Sequence, residues 1–507
     1  MSGDPVEAGP RPLNHGQQLA KDTFAYALAR GLPAMVGLVI LLAATRLLSR
    51  EALGQYGLLV NVVLLVAAAS SGWTQQAALR FYPAYERRGE AATFLAHHAT
   101  AIAATLVVLV AIAGALYATA GGALGPYARL FGLAIAILVA VVAFYNVQFV
   151  LMARLASWSY SLMEIARGVL TLAFGLALLI YWRADVEALL VALLVALLLP
   201  LPFGAWKAGL LRPFGAARGS LDYTRAAFVY AFPLAGWFLG EQAFAAVDRL
   251  VIQYHRGAAE VGLFHAGYQA LPELVTLSLA PLLMAAQPIL VRAGETENRE
   301  ELESLIQRFT RYFLLITTPV AIGVAVAAPA LSAVLLGAEF RDGHVVVPWI
   351  AAGFIGWNLG LFGNKRFEIE RRTGVVFAIL GTCVAANLVL AALLVPSHGF
   401  LGAAIASCIA FWLYPILVGI VPGSSIRWRF PWRTAANVAA AGGLAALAGL
   451  GAAGAFASAG HLAAGSAAIA AAFATFAAAV LLAGEVRRDE WGRARRSLAA
   501  VVRRPQT

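Results

Sequence analysis

Runs of about 20 apolar residues recur along nearly the whole chain, and no segment between them exceeds roughly 20 residues. A helix needs that many apolar residues to span about 30 Å of hydrocarbon, so the runs read as membrane crossings. About fourteen are legible, near residues 23–47, 55–79, 94–119, 128–152, 158–182, 186–209, 226–250, 261–290, 309–335, 344–364, 373–395, 399–422, 434–457 and 461–484. A composition 61% hydrophobic and only 12% charged demands the same solvent, because one water-soluble domain cannot hide that much apolar surface. The short gaps leave no room for a soluble catalytic domain. The first 22 residues are polar and no small-residue cleavage site follows a short apolar core, so the first run reads as a retained helix. The expected fold class is all-α, a polytopic integral membrane protein.

Direction follows from charge. Of the 37 lysines and arginines, 28 fall in the even gaps and at the two termini, seven in the odd gaps, and Arg30 and Arg167 lie inside runs. Short basic loops stay in the cytoplasm, so the alternation predicts an even number of crossings with both termini cytoplasmic. The net charge of +11 is then a positive-inside bias and calls for no nucleic-acid partner. Arginines between Arg487 and Arg504 add an attraction to anionic lipid headgroups. Cys383 and Cys408 both sit in apolar runs, which argues against a disulfide framework or a thiolate metal site.

A repeat organises the crossings. Arg46-Leu-Leu followed by Gly54-Gln55-Tyr56 after the first run is matched by Arg249-Leu-Val followed by Gly262-Leu263-Phe264 after the seventh. Two six-helix lobes of like orientation are predicted, related by an axis along the membrane normal. The boundaries are a cytoplasmic N-terminal segment 1–22, a first lobe 23–209, a cytoplasmic linker 210–225, a second lobe 226–422, a further helix pair 434–484 and a basic cytoplasmic tail 485–507. Alternating charge over Glu295–Gln307 suits a helix at the membrane surface, or a solvated linker.

Ionisable groups at membrane depth are costly and therefore candidates for function. In the seventh run Trp237, Glu241, Phe244 and Asp248 recur on one helical face; in the eighth His265, Gln269 and Glu273 do the same. Glu241 and Glu273, both near mid-depth, suit binding of H+ or Na+ or hydrogen bonding to sugar hydroxyls; the alternative is that they satisfy neighbouring polar groups. Arg167 either pairs with Glu164 three residues earlier or presents its planar fork to a phosphate. Arg30 either faces a cavity or reaches back to the headgroups. Asn146, Gln148 and Asn358 read as interhelical hydrogen-bonders, and His97 and His98 as interfacial. Pro33, Pro233, Pro272, Pro319 and Pro415 each remove a helical hydrogen bond and permit a kink. Neither a Walker loop, a paired Cys or His set, nor a Gly-x-Ser-x-Gly elbow is present, so no catalytic or metal-ligating residue and no organic cofactor is expected, and transport would draw on an ion gradient or on consumption of product.

Four segments in order carry a resemblance. Residues 43–57 (from Ala43 through Arg46, Gly54 and Tyr56), 248–268 (Asp248, Arg249, Gly257, Gly262, Phe264, Tyr268), 319–340 (Pro319, Pro329, Gly337, Glu339, Phe340) and 399–407 (Gly399, Gly402) resemble bacterial polysaccharide flippases of the Wzx type. The likeness spans roughly residues 20 to 485. It implies the multidrug/oligosaccharidyl-lipid/polysaccharide superfamily: two six-helix lobes around a central cavity, often with two further C-terminal helices. It also implies an activity, the turning of undecaprenyl-pyrophosphate-linked oligosaccharide from the cytoplasmic to the periplasmic leaflet of the bacterial inner membrane. The substrate-cavity candidates are then Arg30, Arg167, Glu241, Asp248, Arg249 and Glu273, with membrane lipids, a glycan polymerase and glycosyltransferases as partners. Carboxylates are at least as prominent as arginines at mid-depth, which departs from a purely cationic cavity. A cation-coupled drug antiporter of the same superfamily and a non-transporting scaffold of a glycan-synthesis complex are the alternatives.

Overall fold

A computed structural model describes residue 32, residues 35–211, 221–270 and 298–485, and isolated positions between 275 and 294. Arg30, Pro33, Pro272, Glu273, the side chains of Trp237 and Pro233, the segment 1–22, most of the linker and the arginines beyond residue 485 lie outside what is described. Every regular element among the described residues is helical.

Nine stretches are long and apolar enough to cross a bilayer among the described residues. Two of them hold two crossings each. Ala91–Ala153, at 63 residues, turns at Gly125 (φ 52°), and Thr373–Ile420, at 48 residues, turns at Gly399 (φ 58°). With Met35–Leu47, Leu221–Arg256 and Ala258–Ala270, the order matches the fourteen apolar runs. We number them α1 (Met35–Leu47), α2 (Arg50–Arg87), α3 (Ala91–Ala120), α4 (Phe131–Ala153), α5 (Ser157–Tyr181), α6 (Val186–Ala208), α7 (Leu221–Arg256), α8 (Ala258–Ala270), α9 (Arg299–Leu335), α10 (Val347–Ile369), α11 (373–398), α12 (400–420), α13 (Trp432–Ala455) and α14 (His461–Leu482).

The ends of these helices obey local chemistry. Asp185 accepts from Val186 N at the start of α6, and Asn298 accepts from Glu301 N at the start of α9. Gly209 closes α6 in the left-handed conformation that costs glycine least. The charged segment expected at the membrane surface is, over 299–307, the opening of α9, which runs unbroken for 37 residues. At ~1.5 Å per residue α9 is roughly 55 Å long, so one end projects past the hydrocarbon and accommodates those charges.

Large aliphatic side chains such as Val107, Leu393 and Leu447 are about 70% exposed, as lipid-facing positions should be. The chain divides into two compact units, one through residue 40 and from Val66 to Ala235, the other from Leu41 to Leu65 and from Gly236 onward. In the first unit α4 and α5 pack on α6, and Gly204 is pressed so closely against Met163 that a Cβ would come within 2.1 Å of its sulfur. The Thr74 hydroxyl donates to Asn146 Oδ1 at 2.7 Å, the interhelical hydrogen bond expected of Asn146. Asn358 instead donates to Phe354 O within its own helix.

The second unit has two cores. Phe313, Phe362, Ala445, Ala472 and Phe476 join α9, α10, α13 and α14; Phe244, Trp357, Phe411 and Tyr414 join α7, α10 and α12. Small residues let the backbones of the C-terminal pair approach closely, with Gly449 facing the Ala468 carbonyl.

Candidate functional site

Arg167 belongs to the first unit, on α5. Its Nε and Nη2 both donate to Glu164 Oε2, at 3.1 and 2.6 Å, and the arginine side chain is 24% exposed. The fork offered in sequence as a phosphate ligand is therefore engaged by the carboxylate one turn earlier. His98, expected at the interface, is buried, with both ring nitrogens unpartnered and its ring stacked on Phe94 at 5.3 Å.

The second unit holds the remaining described candidates. Helical periodicity placed Glu241, Phe244 and Asp248 on one face of α7, and the packing splits that face. Glu241 is exposed, whereas Phe244 and Asp248 are buried. A face defined by 3.6-residue spacing is wide, and Glu241 stands at its edge.

Asp248 is held from two other helices. Asn387 Nδ2 of α11 donates to its Oδ1 at 2.8 Å, and the Ser407 hydroxyl of α12 donates to its Oδ2 at 2.5 Å; all three residues are at most 1% exposed. Both carboxyl oxygens are thus occupied by protein donors, as a buried carboxyl group requires. This knot ties α7 to α11 and α12. Asn387 and Ser407 were not singled out in the sequence; the available signal was a polar residue inside an otherwise apolar run.

Arg249, the next residue, turns elsewhere. It is fully buried, donates through Nη1 to Ala245 O at 2.6 Å and approaches His265 Nδ1 through Nη2 at 3.4 Å. Its guanidinium carbon lies 5.4 Å from the Phe264 ring and 5.1 Å from the Tyr268 ring, both on α8. Nε has no hydrogen-bond partner, and Arg249 makes no ion pair with a carboxylate among the described residues. Aromatic faces stabilise a cation without neutralising it, and here the guanidinium is wholly covered by protein. His265 is packed under Gly57, where a Cβ would come within 2.8 Å of the imidazole. Gln269 is exposed.

The helix order defines a polytopic helical membrane protein, and comparison with solved structures gives the fold its place. The lipid II flippase MurJ, in an inward closed conformation, superposes with a TM-score of 0.68 at 12% identity, covering 84% of this chain and 92% of that one. An inward-facing multidrug resistance MATE family transporter of the MOP superfamily superposes at 0.59 with 14% identity, covering 83% and 98%. At such identities the likeness is one of fold.

Sequence gives the family. Residues 19–293, more than half of the chain, match the family described as polysaccharide biosynthesis protein, and the chain belongs to it. A probable low-salt glycan biosynthesis flippase, Agl15 of Haloferax volcanii, is 23% identical over 273 residues, which are 52% of this chain and 56% of that protein. The chain thus matches little more than half the length of this curated relative.

Proposed function

We propose that the chain is a flippase that turns a lipid-linked oligosaccharide across the membrane by alternating access, feeding surface polysaccharide biosynthesis. The observation that carries this reading is family membership together with a relative named as a glycan biosynthesis flippase; a fold shared with a lipid II flippase supports it. The substrate is read as undecaprenyl-pyrophosphate-linked, the membrane as the bacterial inner membrane with both termini cytoplasmic, and the moving bodies as the two six-helix lobes. A pyrophosphate crossing hydrocarbon needs cationic hydrogen-bond donors that proteins do not already neutralise. Arg249 meets that requirement better than Arg167, whose fork is taken by Glu164. Asp248 serves as the structural counterpart that fixes α7 beside Arg249.

Glu241, an exposed carboxylate in the body of α7, favours a second reading, cation-coupled antiport, in which it and Glu273 bind H+ or Na+. One experiment separates the two. Deletion of the gene should make lipid-linked oligosaccharide accumulate on the cytoplasmic leaflet. An unchanged leaflet distribution, with cation-driven drug efflux lost in the same cells, would select the antiporter.

A further inference from the structure

The connection from α1 to α2 and the segment following α9 flank an open pocket of about 540 Å³. Both belong to the odd gaps, the face poor in basic residues, and both lie in the second unit. The pocket is lined by Thr45, Arg46, Ser49, Gly337, Glu339 and Arg341, among others.

Most arginines of this face are neutralised. Arg129 pairs with Asp185 at 3.3 Å, Arg183 with Glu187 at 3.3 Å and Arg256 with Glu260 at 3.3 Å, while Arg50 lies 3.8 Å from Asp342. The two arginines in the pocket differ. Arg46 donates only to main-chain carbonyls, Val334 O at 3.1 Å and Leu42 O at 3.5 Å, and the Arg341 guanidinium has no partner among the described residues. Glu339, the one carboxylate in the lining, pairs with neither. The first turn of α2 opens beside Ser49, whose hydroxyl oxygen accepts from Ala52 N, and that turn carries Glu51.

The wall is built in advance of any ligand. Thr45 Oγ1 donates to Leu42 O at 2.9 Å and accepts from Gly337 N at 3.2 Å, and a Cβ on Gly337 would come within 1.8 Å of the Thr45 carbonyl. The contact of Arg46 with Val334 O ties the end of α1 to the last turn of α9 beside the pocket.

We propose that this pocket binds a phosphate group. Two guanidiniums, one fixed and one uncommitted, beside the Ser49 hydroxyl match the charge and hydrogen-bonding of a phosphoryl anion. The volume exceeds that of inorganic phosphate and admits a phosphate carrying a glycerol or sugar substituent.

Binding is read on the purified full chain, independently of transport. Native mass spectrometry counts retained phosphatidylglycerol against phosphatidylcholine, and calorimetry titrates inorganic phosphate. The expected result is saturable binding in at least one arm, weakened about tenfold by Arg341→Gln; the Arg341 guanidinium makes no hydrogen bond or ion pair among the described residues. Arg256→Gln, an arginine of the same face outside the pocket, should leave binding unchanged. Preference for phosphatidylglycerol alone identifies a lipid headgroup as the source; a response to inorganic phosphate identifies a soluble ligand. Binding in neither arm, wild-type binding by Arg341→Gln, or equal weakening by Arg256→Gln would overturn the proposal.

Discussion

Asp248 and Arg249 are neighbours in sequence with opposite fates, and the difference lies in which helices meet them. Asp248 is saturated by donors 139 and 159 residues away, whereas Arg249 rests on aromatic faces with an unsatisfied Nε. Asn387→Ala should cost about 1.5–3 kcal/mol, because it strips a donor from a buried carboxyl group; a fall in the thermal midpoint of the detergent-solubilised protein measures it. Arg249→Lys keeps the charge but loses the planar fork and some buried packing, and is expected to lower glycan export at least tenfold while the chain still folds and inserts. Arg167→Gln strands Glu164, so it should destabilise by about 1–3 kcal/mol, and adding Glu164→Gln should restore most of the loss. A double-mutant cycle by thermal unfolding tests that coupling. The candidates were legible because ionisable residues in apolar runs are conspicuous. Their partners were not: spacing along one helix says that Asp248 and Glu241 are near a common face, but only packing of α11 and α12 decides that Asp248 is covered and Glu241 is left exposed.

Helix ends show where local rules hold and where they are overridden. Gly399 adopts φ 58° at the turn between α11 and α12, where Glu260 of α8 accepts from Phe400 N at 2.9 Å and leaves no space for a side chain. Leu155 and Arg371 adopt similar left-handed angles, φ 55° and 58°, without the glycine such positions prefer. Leu155→Gly should therefore raise stability by up to about 1 kcal/mol, read as an upward shift of the thermal midpoint. At the end of α14 the Glu485 carboxylate accepts from Thr434 at 2.7 Å and Asn437 at 2.8 Å, and Arg311 of α9 donates to its side chain and its main-chain carbonyl. Burial alone would raise its pKa, but these hydrogen bonds and the Arg311 charge outweigh it and hold the carboxyl below its usual range. The stabilisation is fully present above the unfolded-state value, near ~4.3, and is lost as pH falls through the lower folded-state value. Protection factors against hydrogen exchange in α13 and α14, each referred to the intrinsic rate at its pH, should thus fall only under acid conditions, and Glu485→Gln should remove that fall. The C-terminal pair was legible as two apolar runs; its attachment to α9 was not, because a single glutamate at the end of a run carries no sign of where its donors lie.

At the scale of the molecule, the apolar runs and the helices among the described residues follow one order because a crossing must be long enough to span the bilayer, which forbids unsatisfied backbone within it. That constraint made the fold readable although identity to the solved structures that share it is only 12–14%. Function is less readable from the same rule, since a hydrophobic run encodes a crossing whatever is carried. The central claim is that this chain moves a lipid-linked glycan between leaflets. The direct test is reconstitution of the purified full chain in proteoliposomes bearing lipid-linked oligosaccharide in both leaflets, with an impermeant glycan-cleaving enzyme added outside. Cleavage should run beyond the outer half toward completion with the wild-type protein and stop near half with Arg249→Lys. Cleavage that stops at half with the wild-type protein, in vesicles where the chain is folded and inserted, would contradict the account.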